Sequence, residues 1–191
     1  MESDLLGEIQ VPKDAYYGVQ TLRGLYNYNI TGVRLSSYRN FIKAFGMIKK
    51  ACIMANGRLG LIKPEIVEAV KQACDEVIEG KLDKEFVVDM IQGGAGTSTN
   101  MNANEVIANR ALEIMGKEKG DYTIVSPNDH INKCQSTNDT YPSSGKLGMY
   151  LDHFELVAEL EKLIDAFEAK AEEFKDVLKM GRTQLQDAVP M

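Results

Sequence analysis

The chain has 191 residues, of which 44% are hydrophobic, and a formal net charge of −6. This length and composition predict one globular domain or one and a half. The acidic balance, with no cluster of positive charge on one face, argues against a nucleic-acid partner. The chain begins with an acidic stretch and contains no long apolar run, so we expect neither a signal peptide nor a membrane span.

The three cysteines, Cys52, Cys74 and Cys134, are far apart in the sequence and match no zinc-binding spacing. Cys52 and Cys74 fall on apolar helical faces, which predicts buried thiols. Free thiols are typical of a reducing compartment, so we expect a cytoplasmic protein. No cluster of side chains has the spacing of a metal site, and we expect neither a metal nor another cofactor.

The predicted fold is mainly α, with an irregular start. Glycine and proline interrupt the first 35 residues, where short extended runs such as residues 8–11 are expected. A first helix follows Ser36 or Ser37 and ends near residue 59. A second opens with Pro64 and stops at Gly80, and a third covers residues 99–115.

Apolar residues at steps of three and four predict which face of each helix is buried. In the first helix this face consists of Phe41, Phe45, Ile48, Cys52, Ala55 and Leu59. In the second it consists of Val67, Val70, Cys74 and Val77, and in the third of Val106, Ile107, Ala111 and Ile114.

A long helix is predicted over residues 146–179, after a polar, loop-like stretch at 121–142. Its apolar positions alternate in steps of three and four, as in a coiled coil: Val157, Leu160, Ile164, Phe167, Ala171, Phe174 and Leu178. A helix of 34 residues is about 51 Å long, whereas a compact domain of this size has a radius of gyration of about 16 Å. The helix therefore needs long partner helices from other copies or from further sequence. A break near residues 168–170 is the alternative, although no turn signal supports it.

Residues 92–102 place a glycine-rich loop directly before a helix, an arrangement that favours an anion. The loop lacks the Gly-Lys-Ser/Thr of a P-loop and the third glycine of a dinucleotide fingerprint. A tight turn with Thr97 or Ser98 as the helix cap is the alternative interpretation.

Two further segments, residues 128–139 and 181–187, are rich in uncharged hydrogen-bond donors. Such donors suit a carboxylate whose charge changes while it is bound. Loop and capping roles are the alternative for each segment alone. His130 and His153 are isolated, which favours structural or surface roles over general-base chemistry.

Taken together and in this order, the segments resemble the aspartase/fumarase family. The similarity covers essentially the whole chain and rests on VPKDAYYG, GGAGTSTNMNANEV, PNDHINKCQSTNDTYP and KMGRTQLQDAVPM. The resemblance implies an N-terminal helical domain, here residues 1–139, followed by the first long helix of a central helical-bundle domain, here residues 140–191. It also implies a homotetramer whose active sites combine segments of three subunits.

The family's reaction is an anti elimination from a dicarboxylate, which for L-aspartate gives fumarate and ammonia. The resemblance implies six substrate-binding residues: Thr97, Ser136, Thr137, Asn138, Thr183 and Gln184. The first three would hold the carboxylate beside the reacting carbon. Asn138 and Gln184 would lie near the amino group, and Thr183 near the other carboxylate.

Within the family, aspartase is favoured over fumarase. Residues 133–138 read Lys-Cys-Gln-Ser-Thr-Asn, and Ser126 stands where fumarases usually carry a histidine of a second anion site. Gln184 stands where fumarases and some aspartases carry histidine, and glutamine cannot transfer protons near neutral pH. This departure argues against a histidine-assisted mechanism. Fumarate hydratase is the alternative within the family, and a non-catalytic helical oligomerisation module is an alternative from another class.

The family's flexible loop, which supplies the serine base and a lysine for the substrate carboxylate, lies beyond residue 191. We therefore expect this chain to be the N-terminal part of a longer enzyme, with no catalytic residue of its own. We also expect no turnover of aspartate by residues 1–191 alone.

Overall fold

Five α-helices make up most of the computed structural model, which describes residues 1–191. They are α1 Val19–Asn27, α2 Arg39–Arg58, α3 Pro64–Glu79, α4 Thr97–Ile114 and α5 Thr137–Glu173. Two antiparallel hairpins accompany them, β1 Glu2–Asp4 with β2 Gly7–Ile9 and β3 Met180–Thr183 with β4 Gln186–Pro190. The predicted mainly α fold with a short-stranded start is confirmed.

The chain forms two compact units, Met1–Leu151 and Asp152–Met191. The first unit contains helices α1 to α4 and the first part of α5. The second contains the remainder of α5 and the hairpin of β3 and β4. The predicted domain boundary between residues 139 and 140 stays a prediction.

Helices α2, α3 and α4 enclose the hydrophobic core of the first unit. The predicted face of α3 is fully buried, and in α4 Ile114 is half-buried while the other predicted positions are buried. Gly46 lets α2 approach α3 closely, because a Cβ atom there would lie 2.9 Å from Ile78 Cγ1 and 3.2 Å from the Cys74 carbonyl. Helix α3 ends as predicted at Gly80, whose φ of +88° favours glycine.

The predicted face of α2 was partly wrong. Phe45 is buried as predicted, but Ala55 and Leu59 are exposed. The other buried positions include Ile42, Ile53 and two polar residues, Lys49 and Asn56. The apolar spacing misled the prediction because polar side chains occupy the centre of this face.

Helix α5 begins at Thr137, nine residues before the predicted start. Pro142 lies inside the helix, although the sequence suggested a boundary there. A proline this close to the helix start removes only the hydrogen bond to the Asn138 carbonyl, so it is tolerated. The helix then runs without a break to Glu173, which excludes the alternative of a fold-back near residues 168–170.

The helix ends six residues earlier than predicted, and the segment after it returns as an antiparallel hairpin. The Lys179 and Met191 backbones close that hairpin with two mutual hydrogen bonds of 2.9 and 2.7 Å. Phe174 and Leu178 happened to continue the helical spacing, although they lie beyond the last helical residue.

The coiled-coil seam of α5 is exposed in this chain. Val157, Leu160, Ile164 and Phe167 are between 44% and 68% exposed. A seam of this kind is stable only when a partner helix covers it. None of the helices combines the length and the apolar character needed to cross a membrane.

Two buried carboxylates anchor the irregular segments of the first unit. Glu105 of α4 accepts hydrogen bonds from the backbone N–H groups of Gly18, Gln20 and Thr21 and from the Thr21 hydroxyl, at 2.6 to 3.0 Å. Asp89 accepts bonds from the Thr31 backbone and hydroxyl and from neighbouring N–H groups. Burial opposes ionisation of Asp89, yet these hydrogen bonds hold the pKa of its carboxyl well below the usual range.

All three cysteines are unpaired. Cys74 is buried, Cys52 is half-buried and Cys134 is exposed. Burial raises the pKa of the Cys74 thiol to about 12, so this thiol is unreactive.

Candidate active site

The glycine-rich loop turns sharply into α4 through three consecutive residues with positive φ. Gly94, Ala95 and Gly96 have φ values of +72°, +53° and +87°. The cap predicted at Thr97 or Ser98 was wrong, because Gly96 occupies the cap position. The Gln92 side chain takes over this role, since its Oε1 accepts the Thr99 N–H at 2.8 Å.

Thr97 is exposed at the first position of α4, at the positive end of the helix dipole. Its hydroxyl donates to the Gly94 carbonyl at 2.7 Å. Rotation of the side chain would turn this donor toward a ligand at the helix start, and the Gly94 carbonyl would keep its bond from the Thr97 backbone N–H.

Ser136 caps α5, because its Oγ accepts the Asn138 N–H at 3.1 Å. Accepting this bond leaves the hydroxyl hydrogen of Ser136 available for a ligand. Ser136 and Asn138 are exposed and Thr137 is half-buried, so all three lie at the accessible start of the helix. The capping alternative from the sequence is therefore correct for Ser136, and it is compatible with a binding role.

The starts of α4 and α5 lie side by side. Asn100, in the first turn of α4, donates from Nδ2 to Thr137 Oγ1 at 3.1 Å and accepts from Thr140 Oγ1 at the same distance. Gly96 packs directly against the ring of Tyr141, one turn into α5. The fold thus places the helix start that carries Thr97 next to the one that carries residues 136–138, and two helix dipoles there favour an anion.

We expect Gly96→Ala to destabilise the protein by about 3 kcal/mol. Its Cβ atom would lie 2.2 Å from Tyr141 Cδ2, and the tyrosine ring is held by Phe41 at a centroid distance of 5.5 Å. Gly116→Ala is the matched control, because Gly116 also has positive φ (+69°) but faces open space. That control is expected to cost about 1 kcal/mol, and equal shifts of Tm in calorimetry would contradict the packing explanation.

Thr183 and Gln184 belong to the second unit. Thr183 ends β3, and Gln184 follows in the turn before β4 with a φ of +44°. Arg182 Nη1 donates to the Gln184 carbonyl at 2.6 Å, which stabilises this turn. Both residues are exposed.

His130 has a structural contact. Its Nδ1 accepts the Ser126 N–H at 2.8 Å, and the Ser126 hydroxyl caps the short π-helical turn Pro127–Ile131 by accepting the Asp129 N–H. Burial lowers the pKa of His130, which favours the neutral imidazole that accepts this bond.

The apolar patterns missed a polar network behind the site. Lys49, Asn100, Asn132 and Gln135 are linked by hydrogen bonds and lie buried or half-buried. The available signal was the run of asparagines in α4, where Asn100, Asn102, Asn104 and Asn109 are all buried. Burial of four amides on one helix indicates a polar function for that helix.

No group of three or more His, Cys, Asp or Glu side chains is arranged to hold a metal ion.

A protein-family model described as lyase matches residues 7–191. The chain belongs to this lyase family. Three curated relatives named aspartate ammonia-lyase come from Helicobacter pylori strain J99, Pseudomonas aeruginosa and Escherichia coli K12, with 55%, 56% and 53% identity. The alignments cover all of this lyase chain, which spans about two fifths of each relative: 41%, 40% and 40%.

Two solved structures share the fold of this lyase chain over its whole length. A fumarate lyase:delta crystallin from Brucella melitensis bound to cobalt has a TM-score of 0.94 and 50% identity, with 41% of that chain covered. A class II fumarase from Schistosoma mansoni has a TM-score of 0.88 and 39% identity, with 40% covered. The resemblance to the aspartase/fumarase family is confirmed.

Proposed function

We propose that the whole protein is an aspartate ammonia-lyase, which catalyses reversible anti elimination of ammonia from L-aspartate to give fumarate. The observation that carries this proposal is the convergence of uncharged donors at the adjacent starts of α4 and α5, linked by the Asn100–Thr137 hydrogen bond. Identity of 53–56% to curated aspartate ammonia-lyases supports the choice of substrate.

The reaction needs donors of this kind because its difficulty is electrostatic. A proton on the carbon beside a carboxylate is barely acidic, and its removal leaves a doubly charged aci-carboxylate. Preorganised donors stabilise the additional charge more strongly in the transition state than in the ground state. Thr97, Ser136 and Thr137 would hold this carboxylate.

The other substrate groups are assigned to the remaining predicted residues. Asn138 and Gln184 would lie near the amino group, and Thr183 near the second carboxylate. Gln184 has no titratable group, so it would orient the substrate without transferring a proton. The serine base and a carboxylate-binding lysine would come from sequence outside residues 1–191.

The exposed seam of α5 supports a homotetramer of the whole protein, in which copies of this helix cover each other. The assembled bundle would remove the exposed apolar positions from water. Unpaired cysteines are compatible with a reducing cytoplasm.

Fumarate hydratase is the second candidate, because a class II fumarase shares the fold with a TM-score of 0.88. The two functions are separated by assaying the full-length protein with L-aspartate and with L-malate, following the ultraviolet absorbance of fumarate. We expect turnover of aspartate only. Turnover of malate alone would replace the proposed function with the hydratase.

Residues 1–191 alone are expected to produce no fumarate from L-aspartate, because the proposed base is absent. The measurement is the same absorbance assay, with the full-length protein as the positive control. Robust turnover by the shorter chain would show that the base lies within residues 1–191.

A further inference from the structure

Lys49 is a buried cationic side chain without a carboxylate partner. It is 1% exposed, and its Nζ donates to Asn132 Oδ1 at 3.0 Å and to Gln135 Oε1 at 2.9 Å. Burial lowers the pKa of Lys49 to about 7, and its titratable neighbours are the thiols of Cys52 and Cys74. A buried lysine held only by neutral groups costs stability, so a functional reason for it is expected.

A continuous set of hydrogen bonds connects Lys49 with the candidate site. Asn132 Oδ1 accepts from Lys49 and also from Asn100 Nδ2, at 3.0 Å each. Asn100 Nδ2 uses its second hydrogen for Thr137 Oγ1 at 3.1 Å. Asn100 Oδ1 accepts from Thr140, which fixes the other end of this amide.

The chemistry of Lys49 determines the direction of every bond in this set. In its charged form the amino group has three N–H groups and no acceptor, so amide oxygens must face it, as those of Asn132 and Gln135 do. The Asn132 oxygen therefore points inward, and it draws the Asn100 NH₂ group toward it. Thr137 Oγ1 then accepts from Asn100, and its own hydrogen is left to point away from the network.

We propose that Lys49 is a positioning residue, which orients Asn132 and Asn100 so that the Thr137 hydroxyl donates to a bound carboxylate. This role rests on the proposed function, since it needs a carboxylate at the start of α5. Lys49 itself lies three hydrogen bonds from the Thr137 hydroxyl.

The test compares Lys49→Met in the full-length protein with Lys50→Met. Methionine keeps the length of the side chain but removes the donors. Lys50 is the next residue of α2, and it pairs with Asp75 in a partly exposed salt bridge outside the network. We expect Lys49→Met to lower kcat/KM for L-aspartate about tenfold, the effect of one well-aligned hydrogen bond, and Lys50→Met to leave it unchanged.

A double-mutant cycle separates positioning from general structural damage. If Lys49 acts through Thr137, Lys49→Met should have almost no further effect in a Thr137→Val background. Independent, multiplying losses of kcat/KM would overturn the proposal. So would a Lys49→Met enzyme with the kinetics of the wild type.

Asn100→Asp provides the same test should Lys49→Met fail to fold. Aspartate has nearly the same shape but only accepts hydrogen bonds, so the Thr137 hydroxyl would turn inward toward it. We expect about a tenfold loss of kcat/KM in the folded variant, and unchanged kinetics would refute the proposal.

The wild-type protein is measured in parallel for turnover of aspartate and for binding of fumarate by calorimetry. An active wild type with unaffected variants would refute only the role of Lys49. A wild type that neither turns over aspartate nor binds fumarate would refute the proposed function, and the positioning role with it.

Discussion

Ser136→Asp in the full-length protein is expected to lower kcat/KM for L-aspartate by about two to three orders of magnitude. The substitution removes a donor at the start of α5 and places a negative charge where a dicarboxylate would bind. Aspartate is as good a helix cap as serine, so the bond to the Asn138 N–H is retained. The loss of activity should therefore occur without a comparable loss of stability.

Ser136→Thr is the matched control for this prediction. Threonine keeps both the hydroxyl donor and the cap, so kcat/KM should stay within about threefold of the wild type. Steady-state kinetics and Tm are measured for both variants. A Ser136→Asp protein with normal activity would show that Ser136 serves only as a cap, and it would favour the alternative of a non-catalytic helical module.

Glu105→Ala is expected to cost about 4 kcal/mol of stability. It would leave the N–H groups of Gly18, Gln20 and Thr21 and the Thr21 hydroxyl buried without their acceptor. Burial raises the pKa of Glu105, while the bonds from Thr21, Gln20 and Gly18 oppose this effect by favouring the ionised form. The start of α1 would therefore lose the four hydrogen bonds that hold it to Glu105 of α4.

Glu113→Ala is the control on the same helix. The Glu113 carboxylate is partly exposed and pairs with Arg110, so its removal should cost about 1 kcal/mol or less. Thermal unfolding gives the size of both effects, and hydrogen exchange at residues 18–21 shows where the first one acts. Equal effects of the two substitutions would mean that Glu105 does not anchor α1.

Local signals predicted several elements of this fold correctly. Pro64 and Gly80 mark the limits of α3 because their backbone preferences act within a turn of the helix. The alternating steps of three and four correctly predicted a long continuous helix after residue 146. These features depend on neighbouring residues, which the sequence lists directly.

Other features depended on contacts that a local pattern does not record. The buried face of α2 is centred on Lys49, and Pro142 is accepted inside α5 because it falls close to the helix start. The hairpin after residue 179 was missed because its strands are stabilised by each other rather than by a strong alternating pattern.

The sequence by itself determined the family, the mainly α fold and the candidate donors at Thr97 and residues 136–138. Only the tertiary structure decided that the helices carrying these donors start next to each other, joined by a hydrogen bond between Asn100 and Thr137, which are 37 residues apart. It also showed that Lys49 reaches Asn132, 83 residues away. The physical reason is that helical periodicity reports which side chains avoid water, whereas a buried polar side chain is stable only beside its partner, and the partner's position is set by packing.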